Sequence, residues 1–430
     1  MVWLALVCLP LETQASGSEE GWLDKIGKGF SWQLRVVGYG MRTEPADTDR
    51  NPDNRIMDLP HDTLALQVRP DLRLDLERLT LSLQPRAQGY RESWDRGPKA
   101  RQEEWRDETY IHQWLARWRC TDALYVSYGR ENLQWGPAYL TSLSNPFFED
   151  NGKSNPIEEV ETSDFARVVW VPSLTWSVSL IANTDRGRKE IRNEDFKRIY
   201  ALKTDYIGPA DYASLILTYR EDDLDQVSGY YGRTVSDALL AYAEGAVQRN
   251  PAGRYPREAA NPFGFEMAEK DRHHATWIGS LLAGASYTLE SGPTLTLEYL
   301  YYGPGYGSAE AQDFFTLQKH AAAEIRSGSA LAPLAYQTLG AAADPGLRFL
   351  RRNYLMLQYV QTDIADVINV TLRGTQNLDD GSRRMIFIGE WFIGDHLKLF
   401  AVGSLDSGSQ PAEFGDIIDY QVQLGTMFIF

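Results

Sequence analysis

The sequence predicts an all-β protein: a single closed, antiparallel, up-and-down transmembrane β-barrel of about 18 strands, within a range of about 16–18. Three observations predict it. First, residues 418–430 alternate strictly: Phe430, Phe428, Thr426, Leu424, Val422, Tyr420 and Ile418 form an apolar face, against Ile429, Met427, Gly425, Gln423, Gln421 and Asp419. Second, long polar connections and very short ones alternate along the chain without exception. Third, 12% of residues are aromatic, with 23 Tyr and 12 Trp, at a mean hydropathy of only -0.39. That profile is expected when alternate residues meet lipid and Tyr and Trp gather at the two interfaces. No run from Gly17 onward approaches the ~18 apolar residues of a membrane helix.

Residues 1–15 (MVWLALVCLPLETQA) read as a signal peptide, truncated or weak because a basic n-region is missing, with Thr13-Gln14-Ala15 as the cleavage site. Cys8 lacks a lipobox, and cleavage after Ala15 leaves Cys120 as the single thiol, which excludes an intramolecular disulfide. Residues 16–30 form a periplasmic lead-in, and the barrel occupies 31–430. Strands are expected at about 31–40, 63–76, 79–91, 108–119, 122–131, 163–172, 174–183, 196–206, 211–220, 227–234, 238–249, 274–289, 294–303, 351–361, 365–376, 382–393, 395–404 and 417–430. Alternation is cleanest at Leu64, Leu66, Val68, Leu72, Leu74 and Leu76, opposite Gln67, Arg69, Asp71, Arg73, Asp75 and Glu77. Pro70 on the apolar face argues against a central strand there. Longer loops fall near 41–61, 92–107, 132–161, 184–195, 250–272, 304–349 and 405–416, with brief ones near Asp222 and Asp380. The longest, 304–349, has an Ala-, Leu- and Gln-rich centre at 309–339 that reads as partly helical. It either enters the lumen and sets the pore size or remains a surface excursion.

The face opposite the apolar one points into the lumen. It carries Arg69, Arg73, Arg86, Arg117, Arg119, Arg167, Lys203, Arg220, Arg373 and Lys398, against Asp71, Asp75, Glu77, Asp205, Glu244, Glu298, Glu390 and Asp419. Cross-strand pairing accounts for many of these, and a surplus of unpaired Arg attracts anions in a narrow pore.

The densest local pattern is Gly129-Arg130-Glu131-Asn132-Leu133-Gln134-Trp135-Gly136-Pro137, running on to Ser144-Asn145-Pro146-Phe147. It resembles segments of alginate-export-type barrels, of surface lectins that retain capsule and of porin-like proteins. The terminal Phe resembles the close of the last strand in Gram-negative outer-membrane barrels. The export resemblance implies that Arg130 and Arg167 line a constriction for an anionic polymer. Strict alternation places Arg130 with Leu124, Val126 and Tyr128, so a lumenal role requires a bulge or a rim position. The lectin resemblance implies that Trp135, Tyr139 and Phe147 present rings to sugar outside; an interfacial aromatic girdle is the other reading.

A net charge of -16 argues against nucleic acid as a partner. Neither Gly-x-Ser-x-Gly nor His-Glu-x-x-His occurs, and His273-His274 and Asp406-Ser407-Gly408 lack the spacing of a metal site. No enzyme activity, cofactor or metal is expected. The expected function is passive passage of a hydrophilic, anionic solute through the outer membrane, plausibly exopolysaccharide export, by a monomer or trimer with both termini periplasmic. Expected partners are membrane lipid and lipopolysaccharide, the solute or polysaccharide, and a periplasmic protein on the turns. A surface carbohydrate-binding barrel with a plugged lumen is the alternative, and an outer-membrane enzyme the third.

Overall fold

A computed structural model describes residues 22–148, 151–188, 196–221, 225–249, 253–269 and 276–430. The signal-peptide reading and His273-His274 lie outside them. A short helix α1 (Trp22–Gly29) precedes the strands, within the stretch that the sequence reading assigns to the lead-in. The strands are β1 (Phe30–Pro45), β2 (Asp62–Asp75), β3 (Leu79–Ser93), β4 (Glu103–Thr121), β5 (Leu124–Glu131), β6 (Ser163–Ser173), β7 (Trp176–Asp185), β8 (Ile199–Ile207), β9 (Asp211–Arg220) and β10 (Gln226–Ser236). They continue as β11 (Leu239–Arg249), β12 (Arg254–Glu258), β13 (Phe265–Glu269), β14 (Trp277–Thr288), β15 (Thr294–Tyr301), β16 (Asn353–Ile364), β17 (Ile368–Asn377), β18 (Arg383–Ile393), β19 (Leu397–Ser407) and β20 (Ile418–Ile429). Eighteen of them form one antiparallel sheet, and β12 with β13 forms a separate hairpin inside a loop.

The sheet closes on itself because β1 pairs with both β2 and β20. Closure leaves no unpaired edge, the condition for a sheet to sit in lipid. At the seam Leu34 and Phe430 exchange backbone hydrogen bonds of 3.1 and 2.9 Å. Period-2 alternation sorts side chains by face: on β2, Leu64 and Leu66 are 54% and 58% exposed, while Thr63, Ala65, Gln67 and Arg69 between them are buried. Short turns join strands at one end of the barrel and longer loops join them at the other.

Pro70 corrects the sequence reading, because β2 lies between β1 and β3 despite it. Pairing resumes in the same register on either side, Val68 with Ala87 and Leu72 with Leu83, which sets Pro70 opposite Pro85. Neither has an N–H to lose, and the guanidinium of Arg86 donates to both carbonyls, at 2.8 and 2.9 Å.

The loop between β15 and β16 folds into α2 (Ser308–Ser327) and α3 (Ala332–Ala343). Glu310 accepts the Gly307 N–H at 2.8 Å at the start of α2, and Gly328 at φ 61° ends it. Phe314, Leu317, Ala321, Ala322 and Ile325 of α2 pack on Ala335, Leu339 and Ala342 of α3 and on Tyr255 and Phe263 of the hairpin region. This cap has its own apolar centre. Arg326 ties it to Asp49 at 2.5 Å, and Arg50 donates to Ala343 O at 2.8 Å.

Arg50 also faces Asp416 at 3.7 Å in the loop before β20. Burial pushes the Asp416 carboxyl up to about 6, against the opposing pull of Arg50. The folded value lies above the unfolded value near ~4, so the folded state binds this proton more tightly. The resulting stabilisation, at most about 3 kcal/mol, is complete below about pH 4 and lost as pH rises through about 6. Asp416→Asn is expected to flatten that part of the profile. The temperature at which compact gel migration is lost should rise between pH 7 and pH 5 more in the wild type than in the variant; equal slopes would refute the assignment.

Candidate functional site

Glu131 and Ser163 are paired neighbours in the ladder, so a tight turn would suffice to join β5 to β6. The described residues of the connection, 132–148 and 151–162, instead run through the barrel interior. Three asparagines fix the path by binding backbone two residues on. Asn145 Oδ1 accepts from Phe147 N at 3.0 Å, Asn151 Oδ1 from Lys153 N at 3.0 Å, and Asn155 Oδ1 from Ile157 N at 3.1 Å.

Two buried carboxylates on the far wall latch the loop. Glu298 of β15 accepts from Tyr139 N at 2.7 Å, Leu140 N at 2.8 Å and Tyr242 Oη at 2.6 Å. Glu244 of β11 accepts from Ser142 Oγ at 2.6 Å and from Ser144 N and Oγ at 2.7 Å. Gly136 sits against Glu244 with φ 88°; a Cβ there would lie 2.6 Å from Oε2, so both conformation and space require glycine. The returning half meets β17, β20 and β2. Arg373 donates to Lys153 O at 3.0 Å, Asn155 Nδ2 to Gln423 at 2.9 Å, and Arg69 to Ile157 O at 2.9 Å. Ile157 packs with Val37, Phe400 and Met427.

Beside this return lies a row of three arginines at one height. Arg35 is paired with Arg69, and the β2–β3 register places Arg69 beside Arg86. They line a cavity of about 410 Å³ with His112, Glu158 and Glu159. Asp71 accepts from Arg35 at 2.6 Å and from Arg86 at 2.9 Å, and Glu159 accepts from Arg86 at 2.7 Å. Arg69 has Gln67 at 3.0 Å and the Ile157 carbonyl as partners.

The remaining candidates on the inward face are distributed along the barrel height. Arg73 pairs with Asp75 at 2.5 Å near the turn end, and Arg117 lies opposite Thr80 nearby. Arg167 reaches Glu131 at 3.4 Å, and Lys398 reaches Glu390 at 2.8 Å. Lys203 pairs with Asp205 and stands 5.5 Å from the Trp135 ring. Arg220 lies opposite Ile199 at the loop end of β9, and Arg373 donates to Gln358 at 2.8 Å.

Two expectations are corrected, one for Arg130 and one for the three aromatic residues. Arg130 lies on the lipid-facing side: it is in register with Trp114 and Asp164 and pairs with Asp164 at 2.7 Å, because β5 keeps its alternation with no bulge at that residue. Trp135, Tyr139 and Phe147 are inside the barrel, neither outside nor in a girdle, because the segment that carries them is the crossing loop. Phe147 is 3% exposed against Phe165, Trp135 meets Phe147 edge-on at 5.8 Å, and Tyr139 lies under the Lys153 ammonium at 4.6 Å. Asp406 is held by Arg384 at 2.7 Å. Arg130→Ala is expected to leave conductance and ion selectivity unchanged; a change in either would place its charge in the solute path.

Arg35, Lys153 and Arg348 are absent from the residues expected from sequence, and the alternation places Glu244 and Glu298 on the inward face without indicating a latch. The available signal was in the loop itself: Asn145-Pro146, Asn151-Gly152 and Asn155-Pro156 mark a chain with fixed turns.

No protein-family model and no curated protein sequence matches the chain. Solved structures match it in fold. The outer membrane protein OprD from Pseudomonas aeruginosa superposes with a TM-score of 0.54 at 9% identity, over 94% of each chain. OccK5 (OpdH) of the same organism gives 0.55 at 6% identity, over 94% of this chain and 98% of that one. OpdK, solved with vanillate, gives 0.54 at 9% identity over 94% and 99%. The likeness is one of fold: a closed 18-stranded barrel of porin type.

Proposed function

We propose that the chain is a passive outer-membrane channel for a small, hydrophilic, anionic solute, with the turns and both termini on the periplasmic side. The observation that carries this reading is the crossing loop fixed beside the arginine row. A chain across the interior narrows the path to small solutes and disfavours a polymer such as an exopolysaccharide. Arginines in a confined, low-dielectric passage concentrate anions. The fold neighbour OpdK was solved with vanillate, a small carboxylate, which agrees with an anion as cargo.

The test is conductance of the purified barrel in a planar bilayer, with selectivity read from the reversal potential across a salt gradient. A steady open channel that prefers anions is expected. Folded, inserted protein that passes no current would defeat the reading, and a cation preference would defeat its anionic part.

A further inference from the structure

We propose that Arg348 is the positioning residue by which the outer cap sets the crossing loop; this rests on the channel reading above. Arg348 belongs to the long loop between β15 and β16. Its guanidinium donates to three carbonyls of the crossing loop: Ser142 O, Asn145 O at 2.7 Å and Phe148 O at 3.2 Å. A loop pressed into a barrel has no ladder neighbour for its carbonyls, and a planar, multiply donating cation supplies what a strand would have supplied. The same turn is therefore gripped from two sides. Glu244 takes its N–H and hydroxyl donors, and Arg348 takes its carbonyl acceptors.

The grip continues into the cap through short, ordered steps. Leu347 and Phe349 pack on a cluster that joins Ala138 and Leu143 of the crossing loop to Tyr242 and Tyr354 of the wall. The Arg348 backbone donates to Tyr302 Oη at 3.3 Å, and Pro345 O accepts from Arg254 at the start of the cap hairpin at 2.8 Å. Moving the cap moves Arg348, and moving Arg348 releases residues 142–148.

Arg348→Ala and Arg348→Lys in the full-length barrel test this by two independent readouts. Amide exchange, followed by mass spectrometry, is expected to accelerate on the order of tenfold across 138–148 in Arg348→Ala while the barrel strands stay protected. Single-channel records should acquire transitions between conductance levels that the wild type lacks. Arg348→Lys keeps the charge but loses the fork, and should fall between the two on both measures; it also serves if the alanine variant fails to fold. Unchanged exchange across 138–148 would overturn the proposal, as would faster exchange with an unaltered current. If the wild type itself conducts nothing, the channel reading fails, and exchange alone decides whether Arg348 holds the loop.

Discussion

Replacing residues 132–162 by a four-residue glycine-rich turn is expected to raise single-channel conductance several-fold and to remove most of the ion selectivity. The replacement is geometrically permitted because Glu131 and Ser163 already face one another across adjacent strands, so no strand moves. The latch residues left behind, Glu244, Glu298 and Arg373, would then meet water in place of loop amides and carbonyls, which relieves their need for partners. A smaller version of the experiment is Glu298→Ala. It removes the acceptor for Tyr139 N, Leu140 N and Tyr242 Oη, each hydrogen bond to a charged group being worth roughly 1.5–3 kcal/mol. The Tyr139-Leu140 stretch should then detach while Glu244 still holds Ser142 and Ser144, giving an intermediate and noisier conductance. Compact migration in unheated gels verifies that each barrel is folded. A folded excision variant with wild-type conductance would show that the constriction lies elsewhere.

Arg35→Gln with Arg69→Gln is expected to reverse the selectivity of the channel, from anions to cations. The row is close to balanced as it stands: three guanidiniums face Asp71, Glu158 and Glu159. Its anion preference therefore depends on Arg69, which makes its hydrogen bonds to an amide and a carbonyl and meets the Glu159 carboxylate only through space. Removing two cations leaves the carboxylates in excess at the same height, and in a confined passage the change in local ion concentration is on the order of tenfold. The opposite pair, Asp71→Asn with Glu159→Gln, should strengthen the anion preference. Reversal potentials under a fixed salt gradient report both signs, and two shifts in the same direction would exclude the row as the selectivity element.

The strands were legible because period-2 alternation is local: whether Arg69, Arg73, Arg86, Arg117 or Arg373 faces inward follows from parity within one strand. Arg130 shows the same rule from the other side, since the motif around it suggested a pore residue and its parity did not. The identity of the crossing loop was not legible. Length favoured 304–349, but that loop carries its own apolar faces, with Phe314, Leu317 and Ala321 meeting Leu339 and Ala335, and so it folds on itself as a cap. The shorter loop at 132–162 has no periodic face with which to build such a core. Its Phe147 and Ile157 take shelter on the barrel wall instead. The two acids that receive it are single glutamates on two separate strands, and their role depends on a partner about 100 or more positions away in sequence.

The prolines that face each other on β2 and β3 tie two properties of the molecule together. Where Pro70 and Pro85 leave the ladder without rungs, Arg86 bridges the two strands through their carbonyls, and its other nitrogens hold Asp71 and Glu159. One side chain thus links the two strands where their ladder is interrupted and also places charge beside the passage. A mutation that tuned the charge at Arg86 would at the same time leave the Pro70 and Pro85 carbonyls without their donor, so natural variation in ionic preference has freer access to Arg35 and Arg69. The wall and the filter of this barrel do not evolve independently at that one position.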